Sequence, residues 1–338
     1  MTKKKEAVVK VSGAHDQIEK EFGNVLISGD VLKEYQGKII PISLSLDLAL
    51  NGGLPEGTVM TVSGVSGCGK TTLCLTIIAN AQAMGKKCYY IDIESRLRTE
   101  LLDCIPGLQI DKLTIIKSSE DKFLTAEDYL NIIDYIVSEE KGCLIIIDSV
   151  ASLMPESKAA VKFGESSRMT ATPTLLYEFF RKCIAKINVF NSNIIGISHM
   201  QANVGGYGGP VEVGGNALKF YASIKMMCLS SPEIPADDPN KTGRISKFKI
   251  PKSAITKPTE GSFYIEYGKG YDYIQDLVEN AIQLSLIEKT GAWYTIQSGK
   301  YKDTKIQGME KVMNIVREDT NLAKELDATI RSMILGTK

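Results

Sequence analysis

The chain has 338 residues, of which 43% are hydrophobic and 24% are charged. This composition can bury a sizeable core, so it excludes a disordered chain, a collagen-like chain and a small disulfide-stapled scaffold. Lysine plus arginine and aspartate plus glutamate number 40 each, which excludes a protein held to nucleic acid by overall positive charge; a site for a polyanion must be built locally.

Three regions follow one another along the chain. Residues 1–41 show patchy helical spacing and then an irregular stretch, which predicts a short N-terminal helical arm and linker. From residue 42 to 270, short apolar runs alternate with helical ones. This predicts an α/β core with a mostly parallel twisted sheet that is covered by helices. Residues 271–338 predict a small C-terminal α+β domain.

The core region contains the predicted strands and helices that matter most for the site. The strands are Thr58–Val62, Cys88–Ile93, Leu113–Ile116, Leu144–Asp148, Ile194–Ser198 and Ile224–Leu229. The helices are Thr71–Met84, Ala126–Val137 and Pro173–Phe190. Beyond residue 270 the pattern predicts a helix over Ile274–Ile287, a hairpin of Trp293–Ile296 with Lys302–Ile306, and two further helices.

A glycine-rich loop follows the first of these strands and opens the first helix. Gly64 to Thr71 read Gly-Val-Ser-Gly-Cys-Gly-Lys-Thr, which fits the G-x-x-x-x-G-K-[ST] phosphate loop. Its backbone N–H groups and the positive end of the helix dipole attract an anion. We expect Lys70 to neutralise β/γ-phosphate charge, Thr71 to bind Mg²⁺ and Thr72 to reach the α-phosphate. The predicted nucleotide-binding residues are Gly64, Val65, Ser66, Gly67, Cys68, Gly69, Lys70, Thr71 and Thr72.

Two of the predicted strands end in carboxylates. Asp148 ends an apolar strand that we expect beside the phosphate loop, where it can hold the Mg²⁺ shell through water. Glu94 follows the strand Cys88–Ile93 and could orient a water against the γ-phosphate; spacing alone favours a solvated loop glutamate equally. The glycine spacing excludes a dinucleotide-binding fold, and the absence of an Asn-Lys-x-Asp motif disfavours a GTPase.

Further segments resemble the RecA-type homologous recombinases of bacteria and phages, in order and spacing, over nearly the whole chain. These segments are residues 17–23, 43–50, 52–57, 147–153, 214–223 and 286–294. The run Gly-Gly-Asn-Ala-Leu-Lys-Phe-Tyr, which begins at Gly214, is a highly specific signal for that family. The resemblance implies a DNA-dependent ATPase that polymerises on single-stranded DNA as a helical filament, pairs it with homologous double-stranded DNA and exchanges strands in recombination and repair.

The resemblance also implies particular catalytic roles. ATP and Mg²⁺ would lie between neighbouring protomers, Glu94 would orient the attacking water, and the N-terminal arm would dock on the next protomer. His199 falls where the family has a residue that senses the γ-phosphate; a histidine satisfied at a strand end is the alternative. Lys252 matches the first of two lysines that reach the neighbour's γ-phosphate, whereas Ala254 stands at the second. The family's adenine contacts would fall at Arg98 and Leu101.

Two DNA-binding loops are implied in the same way, near residues 158–170 and 201–215. The second is so glycine-rich that composition alone would favour a mobile surface loop. The implied DNA-binding residues are Arg168, Met169, Arg181, Gln201, Gly214, Gly215 and Asn216. A family arginine aligns with Thr174, and Gln201 stands where many cellular members have arginine, so this chain has less local positive charge at the loops.

Two alternatives share the same core. One is a hexameric DNA motor or helicase that forms closed rings. The other is a regulator that binds ATP and DNA without strand exchange, which Ala254 suggests. For the recombinase and for both alternatives, we expect a cytoplasmic protein of a bacterial cell or a phage-infected host. No stretch of about 18 apolar residues occurs, and the cysteines show no disulfide or zinc pattern. Single-strand-binding and loading proteins are further expected partners; a membrane is not.

Overall fold

A computed structural model of the chain describes residues 12–34, 37–162, 171–201, 211–212, 216–234 and 242–336. The chain forms two compact units, Met1–Lys38 and Ile39–Lys338. The smaller unit contains α1 (Ser12–Phe22) and α2 (Gly29–Glu34). Gly23 ends α1, because its φ of 80° is left-handed and its N–H donates to the carbonyl of Glu19 at 2.9 Å.

The larger unit begins with β1 (Ile39–Ile40), α3 (Leu44–Ala49) and β2 (Leu54–Pro55), and is centred on one large sheet. The strands of that sheet are β3 (Val59–Gly64), β4 (Cys88–Asp92), β5 (Leu113–Ile116), β6 (Leu144–Asp148), β7 (Asn193–Gln201), β8 (Val211–Glu212), β9 (Ile224–Ser230), β10 (Glu233–Ile234), β11 (Gly243–Ser253), β12 (Thr259–Glu266) and β13 (Gly270–Tyr271). They lie in the order β5, β4, β6, β7, β3, β9, β11, β12, β13, while β8 pairs with β7 and β10 with β11.

The sheet is parallel from β5 to β9 and antiparallel from β9 to β13. The predicted α/β class with a mostly parallel sheet is therefore confirmed. The strand β7 extends past the predicted end at Ser198 to Gln201. The sequence pattern did not identify β12, because its first half is polar and only Phe263, Tyr264 and Ile265 are buried.

Helices cover both faces of this sheet. They are α4 (Lys70–Ala83), α5 (Thr99–Asp103), α6 (Ala126–Glu139), α7 (Glu156–Ala159), α8 (Ala171–Val189) and α9 (Asn216–Tyr221). Successive strand residues point to opposite faces, so Met60 packs on the side of α4 while Val59 packs on the side of α6 and α8. This arrangement buries both faces of β3, so that all six of its residues are buried, including the polar Thr61 and Ser63.

A smaller group of elements follows the large sheet. It comprises α10 (Tyr273–Gln283), β14 (Ile287–Thr290), β15 (Trp293–Ile296), β16 (Lys305–Gln307), α11 (Met309–Glu318) and α12 (Thr320–Gly336). The helix predicted to reach Ile287 ends at Gln283 instead, because Ser285 has a left-handed φ of 59° and Ile287 is buried opposite Ile296 in the sheet. The predicted hairpin is consequently a three-stranded antiparallel sheet.

These three strands pack with α10, α11 and α12 on a hydrophobic cluster that also includes Leu44 of α3. None of the helices in the described part of the chain combines the length and apolar character needed to cross a membrane.

Candidate nucleotide and catalytic site

The site forms where four neighbouring parallel strands end. The order β3, β7, β6, β4 places their carboxyl ends along one edge of the sheet. Gly64 at the end of β3 pairs with His199 of β7, and Asp92 of β4 pairs with Asp148 of β6. The phosphate loop and three of the predicted side chains therefore meet at this edge, although they are far apart in sequence.

The phosphate loop is held in shape by its glycines and by the strand beside it. Gly67 and Gly69 have left-handed φ values of 72° and 89°, which a side chain would strain. A Cβ on Gly64 would lie 2.7 Å from the sulfur of Cys68 and 2.8 Å from the Cβ of Cys228. The backbone of the loop can therefore close around an anion only with glycine at these positions.

Lys70 lies inside this loop. The residue is 6% exposed, and its Nζ donates to the carbonyl oxygens of Gly64 at 3.0 Å and Val65 at 2.8 Å. A buried ammonium needs such partners, because an unpaired charge in a low-dielectric environment is costly. The loop thus fixes a positive charge at the point where the phosphate chain of a nucleotide would end.

Thr71 and Asp148 form the candidate Mg²⁺ site. The Thr71 hydroxyl donates to Oδ2 of Asp148 at 3.1 Å, and the Tyr90 hydroxyl donates to the same oxygen. Burial raises the pKa of Asp148, and the hydrogen bonds from Tyr90 and Thr71 partly oppose this. No group of three or more His, Cys, Asp or Glu that could hold a metal occurs among the described residues. The hard oxygens of this pair fit Mg²⁺, which takes most of its ligands from phosphates and water.

Both carboxylate oxygens of Glu94 have partners. Its Oε1 accepts from the hydroxyls of Ser149 at 2.5 Å and Ser152 at 2.8 Å, and His199 Nε2 lies 3.1 Å from the same atom. Its Oε2 pairs with Arg96 Nη1 at 3.0 Å. Burial raises the pKa of Glu94, but the hydrogen bonds from Ser149, Ser152 and His199 outweigh burial and lower it to about 2. Glu94 is therefore a carboxylate at neutral pH.

A cavity of about 400 Å³ extends from the phosphate loop across this cluster. Lys70, Thr71, Asp148, Glu94 and His199 line part of it. The rest of the wall includes Arg96, Leu97, Leu101, Arg244, Ile265 and Tyr267. Of the two positions expected to face the base, Leu101 lines the cavity and Arg98 does not.

Arg244 connects the cavity wall to the phosphate loop. Its guanidinium donates to the Gly67 carbonyl, lies 3.3 Å from Oε1 of Glu233, and donates to the Tyr267 hydroxyl at 2.9 Å. Sequence reasoning did not identify Arg244, Arg96, Ser149 or Ser152. Ser149 and Ser152 lie in residues 147–153, one of the segments that carried the family resemblance, so the resemblance could have identified them. No signal in the sequence pointed to Arg96 or Arg244.

The remaining predicted residues lie away from this cavity or outside the described residues. Lys252 is in β11, where its Nζ donates to the Phe220 carbonyl at 3.1 Å, and Arg181 is exposed on α8. Gln201 ends β7 and Asn216 begins α9. Arg168, Met169, Gly214 and Gly215 are not among the described residues.

Comparison with known proteins gives one consistent result. Residues 9–272 match the family model of the RecA N-terminal domain, and residues 275–335 match that of the RecA C-terminal domain. The protein RecA of Acinetobacter baumannii strain AYE is 34% identical over 97% of this chain and 92% of its own length. The protein RecA of Acinetobacter baylyi is 33% identical over 96% of this chain and 91% of its own length.

Proposed function

Because the chain belongs to the RecA family of DNA-dependent ATPases, we propose that Lys70, Thr71, Asp148 and Glu94 form the ATPase centre that drives its activity. The protein is a DNA-dependent ATPase that uses ATP and Mg²⁺, forms filaments on DNA and exchanges strands in recombination and repair. A ring-forming motor and a regulator without strand exchange are not favoured. The observation that carries the assignment of the centre is the hydrogen-bonded cluster around Glu94 beside the phosphate loop.

Each group of the centre has one task in phosphoryl transfer. Residues 64–72 bind the phosphates through backbone N–H groups, and Lys70 neutralises charge on the β/γ-phosphates. Thr71 and Asp148 would hold Mg²⁺, which supplies further neutralisation of phosphate charge when it is bound. Glu94 orients the attacking water, and its ionised state suits it to accept a hydrogen bond from that water.

His199 links this centre to the DNA. It contacts Glu94 at 3.1 Å, and its strand β7 ends two residues later at Gln201, where the second DNA-binding loop begins. The presence of a γ-phosphate beside His199 would therefore bias the conformation of residues 201–215. In return, DNA bound to that loop would adjust the contact between His199 and Glu94.

The DNA-binding and assembly surfaces follow the same family pattern. We assign the strand of DNA to two loops, residues 158–170 and 201–215, with Arg168, Met169, Arg181, Gln201, Gly214, Gly215 and Asn216 as contacts. Lys252 reaches the nucleotide of the neighbouring protomer, residues 1–41 dock on that neighbour, and residues 271–338 form the small C-terminal domain. The setting is the cytoplasm of a bacterial cell or a phage-infected host, where single-strand-binding and loading proteins assist.

The centre and the filament are tested together by ATP turnover and imaging. We expect single-stranded DNA to stimulate ATP hydrolysis by the purified chain, and electron micrographs of the same samples to show helical filaments. Closed rings on DNA would indicate a motor instead. Nucleotide binding without DNA-stimulated turnover would indicate a regulator.

Salt dependence of DNA binding tests the loop assignment. The slope of log affinity against log salt scales with the number of phosphates neutralised, at about 0.7 per phosphate for single strands. Since Thr174 and Gln201 replace arginines, the double variant Thr174→Arg, Gln201→Arg should steepen the slope by about 1.4. The measurement is fluorescence anisotropy of a labelled single-stranded oligonucleotide.

The control for this titration adds an arginine elsewhere. Ala328 is exposed on α12, so Ala328→Arg should leave the slope as in the wild type. An unchanged slope in the double variant, or an equal change in the control, would place the DNA away from Thr174 and Gln201.

A further inference from the structure

The two oxygens of Glu94 have different kinds of partner. Oε1 faces His199 of β7 and two serines, Ser149 and Ser152, in the segment that follows β6. Oε2 pairs with Arg96, whose side chain is 74% exposed while that of Glu94 is 12% exposed. The carboxylate is thus fixed on one side by the sheet and held on the other by a cation that extends into the open cavity.

The backbone that carries Arg96 is anchored independently of this ion pair. Asp92, which is 3% exposed, accepts the Arg96 N–H at Oδ1 and the Leu97 N–H at Oδ2, both at 3.1 Å. Ser95 has a left-handed φ of 52°, which turns the chain back toward the cavity. The Arg96 side chain can therefore change its partner while its Cα stays in place.

This ion pair conflicts with the task of Glu94. A water-orienting carboxylate needs an accessible oxygen, yet Oε1 is surrounded by donors and Oε2 is engaged by the guanidinium. The same guanidinium lines one cavity with Lys70 and Thr71, where a triphosphate would bring its terminal phosphate. A planar guanidinium binds phosphate oxygens in a bidentate manner and remains charged at all relevant pH values.

We propose that Arg96 is a γ-phosphate ligand that distinguishes a nucleoside triphosphate from a diphosphate and controls access to Glu94. Without the γ-phosphate, Arg96 occupies Oε2 of Glu94. With the triphosphate bound, Arg96 transfers to the γ-phosphate and Oε2 becomes available to the attacking water. The guanidinium is paired with an anion in both states, so the exchange leaves no unpaired charge. This inference rests on the proposed role of Glu94.

The test compares two nucleotides on the same protein. Dissociation constants of ADP and of the non-hydrolysable triphosphate AMP-PNP, each with Mg²⁺, are measured by calorimetry on the full chain without DNA. Loss of a charge-assisted contact to the γ-phosphate should weaken AMP-PNP binding by about tenfold in Arg96→Ala and leave ADP binding within about twofold. Arg96→Lys, which keeps the charge, should recover part of the loss.

Two controls separate this inference from the function on which it rests. Arg98→Ala removes a neighbouring arginine that does not line the cavity, so it should leave the ratio of the two dissociation constants unchanged. Lys70→Ala should strongly weaken binding of both nucleotides. If it does so while Arg96→Ala changes both nucleotides equally, or neither, Arg96 is a surface ion pair and the inference fails. If Lys70→Ala binds both nucleotides normally, the proposed centre itself is wrong and the inference fails with it.

Discussion

Lys70→Ala should strongly weaken ATP binding and abolish turnover. The Lys70 ammonium is buried in the phosphate loop and held by the carbonyls of Gly64 and Val65. Its removal takes the fixed positive charge away from the place where the β- and γ-phosphates bind. A lost charge contact in such a buried setting is worth about 3 kcal/mol or more, so the affinity for ATP should fall by about 100-fold or more.

The matched control for this variant is another lysine with similar local contacts. Lys86 also donates to a carbonyl, that of Gly142, and pairs with Glu56 at 2.8 Å, but it does not line the cavity. Lys86→Ala should lower the thermal stability and leave ATP affinity near that of the wild type. Nucleotide affinity is measured by calorimetry with AMP-PNP, and thermal stability by a melting curve, on each variant. Binding by Lys70→Ala within about tenfold of the wild type would contradict the assignment of the phosphate loop.

Glu94→Gln should separate ATP binding from hydrolysis. The substitution keeps the size of the side chain and one oxygen for the hydroxyls of Ser149 and Ser152, so the pocket should remain intact. It removes the negative charge and one of the two acceptors that can orient water. We expect turnover with single-stranded DNA to fall by about 100-fold or more, with ATP binding retained and filaments that persist.

Turnover, nucleotide affinity and filament lifetime are measured on the same preparation. Glu100→Gln, at an exposed position of α5, is the control and should behave as the wild type. If Glu94→Gln hydrolyses ATP at the normal rate, another group orients the water.

Sequence reasoning identified the parts of the site that local pattern defines. The spacing of Gly64 to Thr71 defines the phosphate loop, and an apolar run that ends in an acid identifies Asp148. Spacing left the role of Glu94 open, and the family resemblance favoured a catalytic one. The structure adds that strand order brings Glu94, Asp148 and His199 to one edge of the sheet.

The contacts that sequence reasoning missed depend on tertiary structure. Arg244 reaches Gly67 only because β11 lies beside the phosphate loop, a contact between residues 177 positions apart. Arg96 faces Glu94 because of the turn at Ser95, whose left-handed φ no pattern in the sequence indicates. The helix α10 was predicted to end at Ile287 but ends at Gln283. The residue spacing remains helical beyond Gln283, but the left-handed φ of Ser285 ends the helix.

A strand-invasion assay shows whether this nucleotide centre drives homologous pairing. Naked single-stranded DNA, ATP and Mg²⁺ are combined with either homologous or heterologous duplex, so that a missing loading protein cannot mask activity. We expect joint molecules with homologous duplex alone, and none with Lys70→Ala. DNA-stimulated ATP hydrolysis by the wild type without any joint molecules would overturn this expectation and indicate a DNA motor.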